Sequence, residues 1–412
     1  MLDIKFIREN ADQVQKMAED KGYSISIAEL IEADKKRRQL LGKIDDLRSE
    51  RNELAKATKG QKPSEEQIAK GKDLKDKTSK LEKDLGKVDE VYSRLISSVP
   101  NTFSVDTPIG PEEAFTVKSE QGDKKITAVD HLDFANKRDW IDFERGAKVA
   151  GNKFYYLKGD VARLEVALLS YGIEKLSNSG FTFMDVPYVV NEKINEGTGF
   201  TPRSNKQSDS YFIEGEDLTL IGTAEVSLTG YHADEIIDED ALPLLYAGYS
   251  PCFRKEAGAS GKHNRGLFRV HQFNKLEMYA YCVPEQSEEI HAKILSIEEE
   301  IWQELGIPYR VINIPSGDLG APAWKKYDIE YWSPVDQSYR ELTSCSNCTD
   351  FQARNLNIRV RRANGDVEVL HTLNGTAISM ARTLVAIIEN FQEGDHLQVP
   401  SALVKYLGKE KL

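Results

Sequence analysis

The first hundred residues repeat apolar side chains at alternating steps of three and four. Leu30, Ala33, Arg37, Leu40, Ile44, Leu47, Arg51 and Leu54 form one run, with arginines at two positions; Leu74, Thr78, Leu81, Leu85, Val88, Tyr92 and Leu95 form a second. That spacing is the seam of a coiled coil. Between the runs, KGQKPS (59–64) breaks the helix, with Ser64 placed to cap the return helix and Glu65 and Glu66 in its first turn. The pattern predicts an antiparallel two-helix hairpin over about 28–97, preceded by a short helix over 3–20 that stops near Gly22. Thirty helical residues at 1.5 Å each make an arm of roughly 45 Å. Such an arm serves either oligomerisation or contact with a polyanion. The lysines of its tip and return helix (Lys56, Lys59, Lys62, Lys70, Lys72, Lys75, Lys77, Lys80 and Lys83) favour phosphate contact, unless neighbouring acids reduce them to a solvated face.

After this arm domain, 1–105, the turn formers Pro108, Gly110, Pro111 and Gly122 mark 106–130 as a linker with room for a short strand. From 131 to 412 the texture changes. Helical RLEVALLSYGIEKL (163–176) is followed by the strand-like stretches FTFMDVPYVV, LLYAGYSPCF, LFRVHQFNKLEMYAYC, YRVINI and NIRVRR. Many adjoin in sequence without a helical crossover, which predicts an antiparallel sheet and an α+β class.

Composition narrows the class further. With 412 residues the chain exceeds one ordinary core. No apolar stretch reaches the roughly 20 residues of a membrane span, and MLDIKFIRENADQ lacks a signal-peptide core, so no membrane association and a cytoplasmic location are expected. The net charge of −12 argues against a generally adhesive nucleic-acid binder. It is uneven, however: residues 1–100 hold 22 basic and 20 acidic side chains, the remainder 33 and 47. Any nucleic acid is therefore expected on the arm. Four cysteines are too few for a disulfide framework, and the single CxxC, Cys345 and Cys348, lacks the second pair or histidines that a structural zinc needs.

Four segments carry chemistry. SPCFRKEAGASGKHNRGLFRVHQFNKLEMY (250–279) reads as two strands around a glycine-rich loop. In the second strand Arg269, His271, Phe273, Lys275 and Glu277 alternate onto one face, and Val270, Leu276 and Met278 onto the other. A phenylalanine among charged groups suits a flat aromatic ligand such as adenine. Glu277, roughly 13 Å further along, matches the span from a nucleotide base to a group beyond its α-phosphate. Arg254, on the facing strand, would bridge an anion between them. The alternative is a surface hairpin of alternating charge. LNGTAISMARTLVAIIENFQ (373–392) reads as a buried helix with Arg382 at its middle, and a buried arginine needs an anion, either a protein carboxylate or a phosphate. In YRELTSCSNCTDFQARN (339–355), Glu341 and Ser344 offer hard oxygen ligands for Mg2+, or are simply a strand end and turn. In LIGTAEVSL (220–228), Thr223 and Glu225 alternate on a strand-like segment and suit an α-ammonium group.

Taken together these segments resemble the seryl-tRNA synthetases of class II. The resemblance spans almost the whole chain: the two-helix arm, DFERGAKVAGNKFYYLKGDVARLE (142–165), the TAE triplet, the FRKEAG…RGLFRVHQF hairpin, ELTSCSNCTDFQARN and HTLNGTAISMARTLVAIIENFQ. The three class II motifs match a strand ending at Pro187, the hairpin, and the arginine-bearing helix. The resemblance implies a class II catalytic domain behind a tRNA-binding arm, with tRNA(Ser), L-serine and ATP as substrates, Mg2+, a homodimer with Pro187 at its interface, and the zinc-free form of the family. It implies that Arg254 binds the α-phosphate and the serine carboxylate. Lys255, Glu256, Val270, His271, Gln272 and Phe273 would form the adenine side, Phe273 by stacking. Glu341, Leu342, Thr343 and Ser344 would line the phosphates, Glu341 and Ser344 at Mg2+ and Arg382 at the γ-phosphate. Thr223, Ala224 and Glu225 would receive the substrate amine, Glu277 and Thr376 the serine hydroxyl, and Arg265 ATP or the tRNA end. Some relatives carry serine where Thr376 stands, which keeps the hydroxyl. Synthetase-like ligases that load a carrier protein share this fold without the arm.

Overall fold

The two heptad runs become two long helices. The computed structural model describes residues 1–59, 63–199, 209–256 and 265–412, and these form two units, Leu2–Pro100 and Asn101–Leu412 together with Met1. The smaller unit contains α1 (Ile4–Glu9), α2 (Ala11–Asp20), α3 (Ile27–Ala57) and α4 (Glu65–Ser98). The single helix expected over 3–20 is two, because Asn10 leaves the helical region at φ −128, ψ 34. Ser26 and Ser64 cap α3 and α4; at Ser64 the side chain of Gln67 returns the bond to the cap backbone. Leu30, Ile44, Leu74, Thr78 and Val88 are buried in the seam, whereas Arg51 is exposed. Arg37 crosses to Asp89 at 2.7 Å and lies over Tyr92, and Arg48 crosses to Glu82 at 2.9 Å. Lys70 pairs with Glu50 and Lys77 with Asp73, while Lys56, Lys59, Lys72, Lys75, Lys80 and Lys83 are exposed. Lys62 lies outside the described residues.

The larger unit is built on one sheet. Its strands are β1 (Thr116–Gln121), β2 (Thr182–Asp185), β3 (Leu244–Phe253), β4 (Gln272–Cys282), β5 (Tyr309–Asn313), β6 (Lys325–Ser333), β7 (Ser338–Thr349) and β8 (His371–Ser379). They lie in the order β1-β5-β6-β7-β8-β4-β3-β2, with every neighbouring pair antiparallel except β2 against β3. β1, within the stretch read as a linker, is hydrogen-bonded to β5 at the sheet edge. The helices that cover this sheet or border its cavities include α5 (His131–Asn136), α6 (Asp160–Asn178), α7 (Ala224–Gly230), α8 (Ser287–Leu305) and α9 (Met380–Asn390). α6, α8 and α9 contribute Leu164, Leu168, Ile294, Trp302, Leu384 and Ile388 to a core over Leu276, Met278 and Ile378 of the sheet. Gly172 lets α6 lie close to it, since a Cβ there would stand 2.7 Å from Leu276.

The stretch 373–392 is not one helix. Through Ser379 it completes β8, a strand flanked by β7 and β4, and only Met380–Asn390 is helical. This strand is buried nearly throughout, with polar and apolar residues mixed on both faces, so its pattern shows no period-2 alternation to separate it from a buried helix. No helix among the described residues is long and apolar enough to cross a membrane.

Candidate active site

The hairpin of β3 and β4 forms as its sequence predicts, with Phe253 opposite Gln272 and Lys275 opposite Ser250. Arg254 follows β3; its backbone donates to the His271 carbonyl at 3.0 Å and its Nε to the Gly222 carbonyl at 3.2 Å. These contacts hold its guanidinium over the Phe273 ring, 5.4 Å from the centroid. β4 begins only at Gln272, so strict alternation fails before it. Val270 turns into the same cavity as Phe273 rather than away from it, while His271 is turned aside, bonded to the Arg254 carbonyl and packed on Phe154. Gln272 and Asn274 face a second cavity of about 340 Å³ lined by Glu165 and Tyr249. Lys255 extends over Tyr211 and Phe212, and Glu256 pairs with Arg269 at 3.0 Å. Of the glycine-rich loop, 257–264 lies outside the described residues. Arg265 pairs with Asp130 and Asp133.

The principal cavity holds about 200 Å³. It brings together Arg254, Glu256, Val270, Phe273, Lys275, Glu341, Leu342, Thr343, Ser344, Thr376 and Arg382. Glu341 and Ser344 are three apart, which on a regular strand would send them to opposite faces. A bulge resolves this: Ile329 opposes Thr343 and Glu330 opposes Glu341, leaving Leu342 as the extra residue. The two positions are therefore inside β7 rather than at a strand end and turn. Arg382 is in the first turn of α9 rather than mid-helix, one-fifth exposed, with Nη1 2.8 Å from Glu341 Oε1. Surrounding protein raises the Glu341 pKa, but Arg382 and then Lys326 overcome this and hold it at about 2. The cavity thus presents cations around a carboxylate that stays ionised.

Deeper in, a hydroxyl and carboxylate cluster closes the site. Glu277 lies opposite Thr376, and its Oε2 accepts from Thr223 Oγ1 at 3.3 Å and Thr376 Oγ1 at 3.5 Å, with Lys275 as its ion-pair partner. Thr223 and Glu225 are not on a strand: Thr223 caps α7, its hydroxyl accepting from the Glu225 amide, and Ala224 is the fully buried first helical residue. Burial, and then the charge of Glu277, push the Glu225 carboxyl up to about 7, although Gln352 Nε2 donates to it at 2.7 Å.

Several contributors escaped sequence reasoning. Lys326 lines the cavity and pairs with Asp328 at 3.0 Å. Its signal was the alternation of Lys326, Asp328 and Glu330 against Tyr327, Ile329 and Tyr331 along β6. Phe268 lies 5.0 Å beneath Arg382, and nothing in its local pattern marked it. Glu298, wholly buried, accepts from Thr343 at 3.0 Å, and burial drives its pKa far up. Elsewhere, Pro187 is exposed two residues after β2 ends, its carbonyl accepting from Ser227 Oγ at 2.6 Å. Cys345 and Cys348 are buried on β7. Among the described residues the grouping with metal-ligand proximity is Asp130, His131 and Glu389, which includes neither cysteine.

This geometry agrees with what the chain is similar to. Residues 1–103 match the family described as the seryl-tRNA synthetase N-terminal domain. Residues 211–391 match the tRNA synthetase class II core domain (G, H, P, S and T). A serine–tRNA ligase of Dictyoglomus turgidum is 47% identical, covering 99% of this chain and 98% of its own. One from Treponema denticola is 41% identical over the full length of both. The crystal structure of seryl-tRNA synthetase from Pyrococcus horikoshii complexed with ATP superposes with a TM-score of 0.91 at 39% identity, covering 100% of this chain and 99% of that one. The cytoplasmic serine–tRNA ligase of Naegleria fowleri in complex with AMP gives 0.86 at 30%, covering 100% and 98%. With both family models matched and relatives this similar end to end, the chain belongs to the seryl-tRNA synthetases.

Proposed function

We propose that serine and ATP react in the cavity lined by Arg254, Glu341, Thr376 and Arg382, with Glu277 behind Thr376, and that the arm Leu2–Pro100 binds tRNA(Ser). The activity is that of the family: ATP-dependent ligation of serine to tRNA. The observation that carries the assignment of the cavity is the meeting of two kinds of chemistry in one hollow. Arg254, Lys326 and Arg382 on its wall offer charge to a polyphosphate, and Thr376 on the same wall, backed by buried Glu277 and Thr223, offers hydrogen bonds to a small hydroxylated amine.

Adenine would stack on Phe273, with Glu256 and Val270 beside it and Lys255, His271 and Gln272 supporting the hairpin. Arg254 would join the α-phosphate to the serine carboxylate, and Arg382 would meet the γ-phosphate, exchanging Glu341 for it. Glu341, ionised, and Ser344 open onto one cavity with hard oxygens; this donor set fits Mg2+, which would neutralise phosphate charge there, beside Leu342 and Thr343. Thr223, Ala224 and Glu225 would receive the ammonium group, and Glu277 and Thr376 the hydroxyl. The serine carboxylate is already ionised at neutral pH, so its attack on the α-phosphorus, expelling pyrophosphate, needs no general base. Catalysis is then positioning and charge neutralisation. In the second step the 3′-hydroxyl of the tRNA attacks the adenylate carbonyl, with Arg265 near the tRNA end.

The domain scheme accords with this: an arm over 1–105 with its hairpin at about 28–97, a connecting stretch over 106–130, and catalysis in 131–412. Exposed Pro187 beside the edge strand β2 supports a homodimer contact there, and the cytoplasm is the compartment of the reaction. ATP–pyrophosphate exchange with each amino acid in turn tests the reading. Serine alone should support it, and exchange driven by another amino acid refutes it. Charging of a carrier protein in place of tRNA would favour the arm-less type of ligase.

A further inference from the structure

A histidine outside the cavity holds one of its walls. His131, 1% exposed at the start of α5, is bonded on both ring nitrogens. Nε2 accepts from the Leu267 backbone amide at 3.3 Å. A nitrogen that accepts from an N–H carries no proton, so the proton is on Nδ1. Nδ1 faces Glu389 Oε1 at 3.3 Å, with Asp130 Oδ2 at 3.7 Å. Glu389 is itself fixed: its other oxygen accepts from Ser333 Oγ at 2.7 Å and Tyr331 at 3.2 Å, and Arg340 stands 3.6 Å from Oε1. Two hydrogen-bond partners, the Leu267 amide and the Glu389 carboxylate, therefore set the tautomer.

What His131 holds is the turn Gly266–Phe268, where the chain re-enters β4 from the glycine-rich loop. Leu267 and Phe268 both line the principal cavity, and the Phe268 ring lies under the guanidinium of Arg382. The fit is close. Gly266, at φ +65, would place a Cβ 2.1 Å from His131 Nε2. Arg265, the residue before the turn, is anchored on Asp130 and Asp133 of the same segment. Glu389 belongs to the last turn of the helix that carries Arg382 in its first. One ring thus joins the end of the arginine helix to the turn that supports the arginine.

We propose that His131 is a positioning residue for the polyphosphate side of the site, acting through Leu267 and Phe268 on Arg382. The proposal rests on the assignment of the principal cavity to serine and ATP. It makes the Leu267 bond, not the Glu389 bond, the one that ATP feels. The two amide side chains separate them. In His131→Gln the side-chain oxygen reaches about as far as Nε2 and restores the acceptor for Leu267. In His131→Asn the amide reaches only the Nδ1 position and restores the bond to Glu389, leaving the Leu267 amide buried without a partner.

The test is steady-state ATP–pyrophosphate exchange on the full chain. His131→Asn should raise the KM for ATP about tenfold, the scale of one buried donor left unpaired, and leave the KM for serine within twofold. His131→Gln should stay within threefold of the parent for both. A purely structural histidine predicts instead that both variants lose folded protein and kcat while both KM values hold. Ring-15N NMR of the parent, with His131 assigned by its loss in His131→Gln, reads the tautomer in the unaltered protein. A protonated Nδ1 and bare Nε2 are expected. The opposite tautomer, an asparagine variant with parental ATP KM, or a glutamine variant as impaired as the asparagine one each overturns the proposal. A parent without serine-dependent exchange would instead overturn the reading of the cavity.

Discussion

Replacing Glu225 by glutamine should make the empty enzyme more stable in alkali while it loses serine. The folded protein holds this carboxyl at about 7, against 4.5 for the free side chain, because burial and then Glu277 disfavour its charge. A raised acid pKa contributes stability that is complete below about pH 4.5 and is lost as pH rises to about 7, since the unfolded chain ionises first. The shift of about 2.5 units, at about 1.4 kcal/mol each, amounts to roughly 3 kcal/mol lost by pH 8. Glu225→Gln removes that dependence at little cost in hydrogen bonds. The glutamine oxygen still accepts from Gln352, and the Asn374 amide, which bonds to the carboxylate, can turn to accept from the new NH2. Denaturant unfolding of parent and variant across pH 5 to 8 reads the effect. Their difference cancels other titrating groups such as Glu298 and Asp328. The variant should gain on the parent by about 2.5 kcal/mol across that range, the rest of the loss having occurred below pH 5. Saturating serine should restore stability to the parent at pH 8, because its ammonium group partners the ionised carboxylate, and should do nothing for the variant. Below pH 7 the parent's KM for serine should climb, as the carboxyl must release a proton to bind. Parallel loss of stability in parent and variant would refute the reasoning.

The other predictions rest on the same geometry. Arg382→Ala should cut serine-dependent exchange by about 10²–10³-fold while the protein still folds; normal exchange with a lowered melting temperature would make Glu341 its true partner. Glu277→Ala should lose serine-dependent exchange and weaken discrimination against alanine, because Thr223 and Thr376 no longer share an acceptor that alanine leaves unused; unchanged discrimination counts against the serine pocket. Deleting 28–97 with a bridging linker should leave exchange nearly intact and greatly reduce charging of tRNA, and tRNA affinity of the whole chain should fall with added salt; full charging by the truncated enzyme would make the arm structural.

Much of this was legible in the residues. The α3–α4 pairing was written in heptads because a long helix pair buries little except its seam. The β3–β4 hairpin was written in strict alternation from Phe273 onward. Legibility failed wherever the backbone departs from a regular period. A bulge at Leu342 carries Glu341 and Ser344 to one cavity, and the late start of β4 reverses Val270 and His271. The run 373–392 hid a strand-to-helix change because both parts are buried along almost their whole length. Thr223 and Glu225, picked out as candidates by their chemistry, were placed on the wrong element, since threonine serves equally as a strand residue and a helix cap. His131 had no local signal at all: its partners are 136 and 258 residues away.

The polar residues along the arm have a consequence for its length. Arg37 reaches Asp89 and Arg48 reaches Glu82, so each rung of the hairpin pairs a particular residue of α3 with a particular residue of α4. Asp89 and Glu82 are themselves seven residues apart, so sliding one helix by a heptad would leave one arginine facing an acid and the other facing Lys75 or Ile96, and would displace the end of that helix by about 10 Å. The hairpin therefore behaves as a graduated ruler whose two edges must be cut together. Seven residues lost from both helices shorten it by one graduation and keep the rungs; seven lost from one helix alone leave one arginine against the wrong mark. Matched changes in the two helices are therefore the ones that alter the span at no cost in rungs.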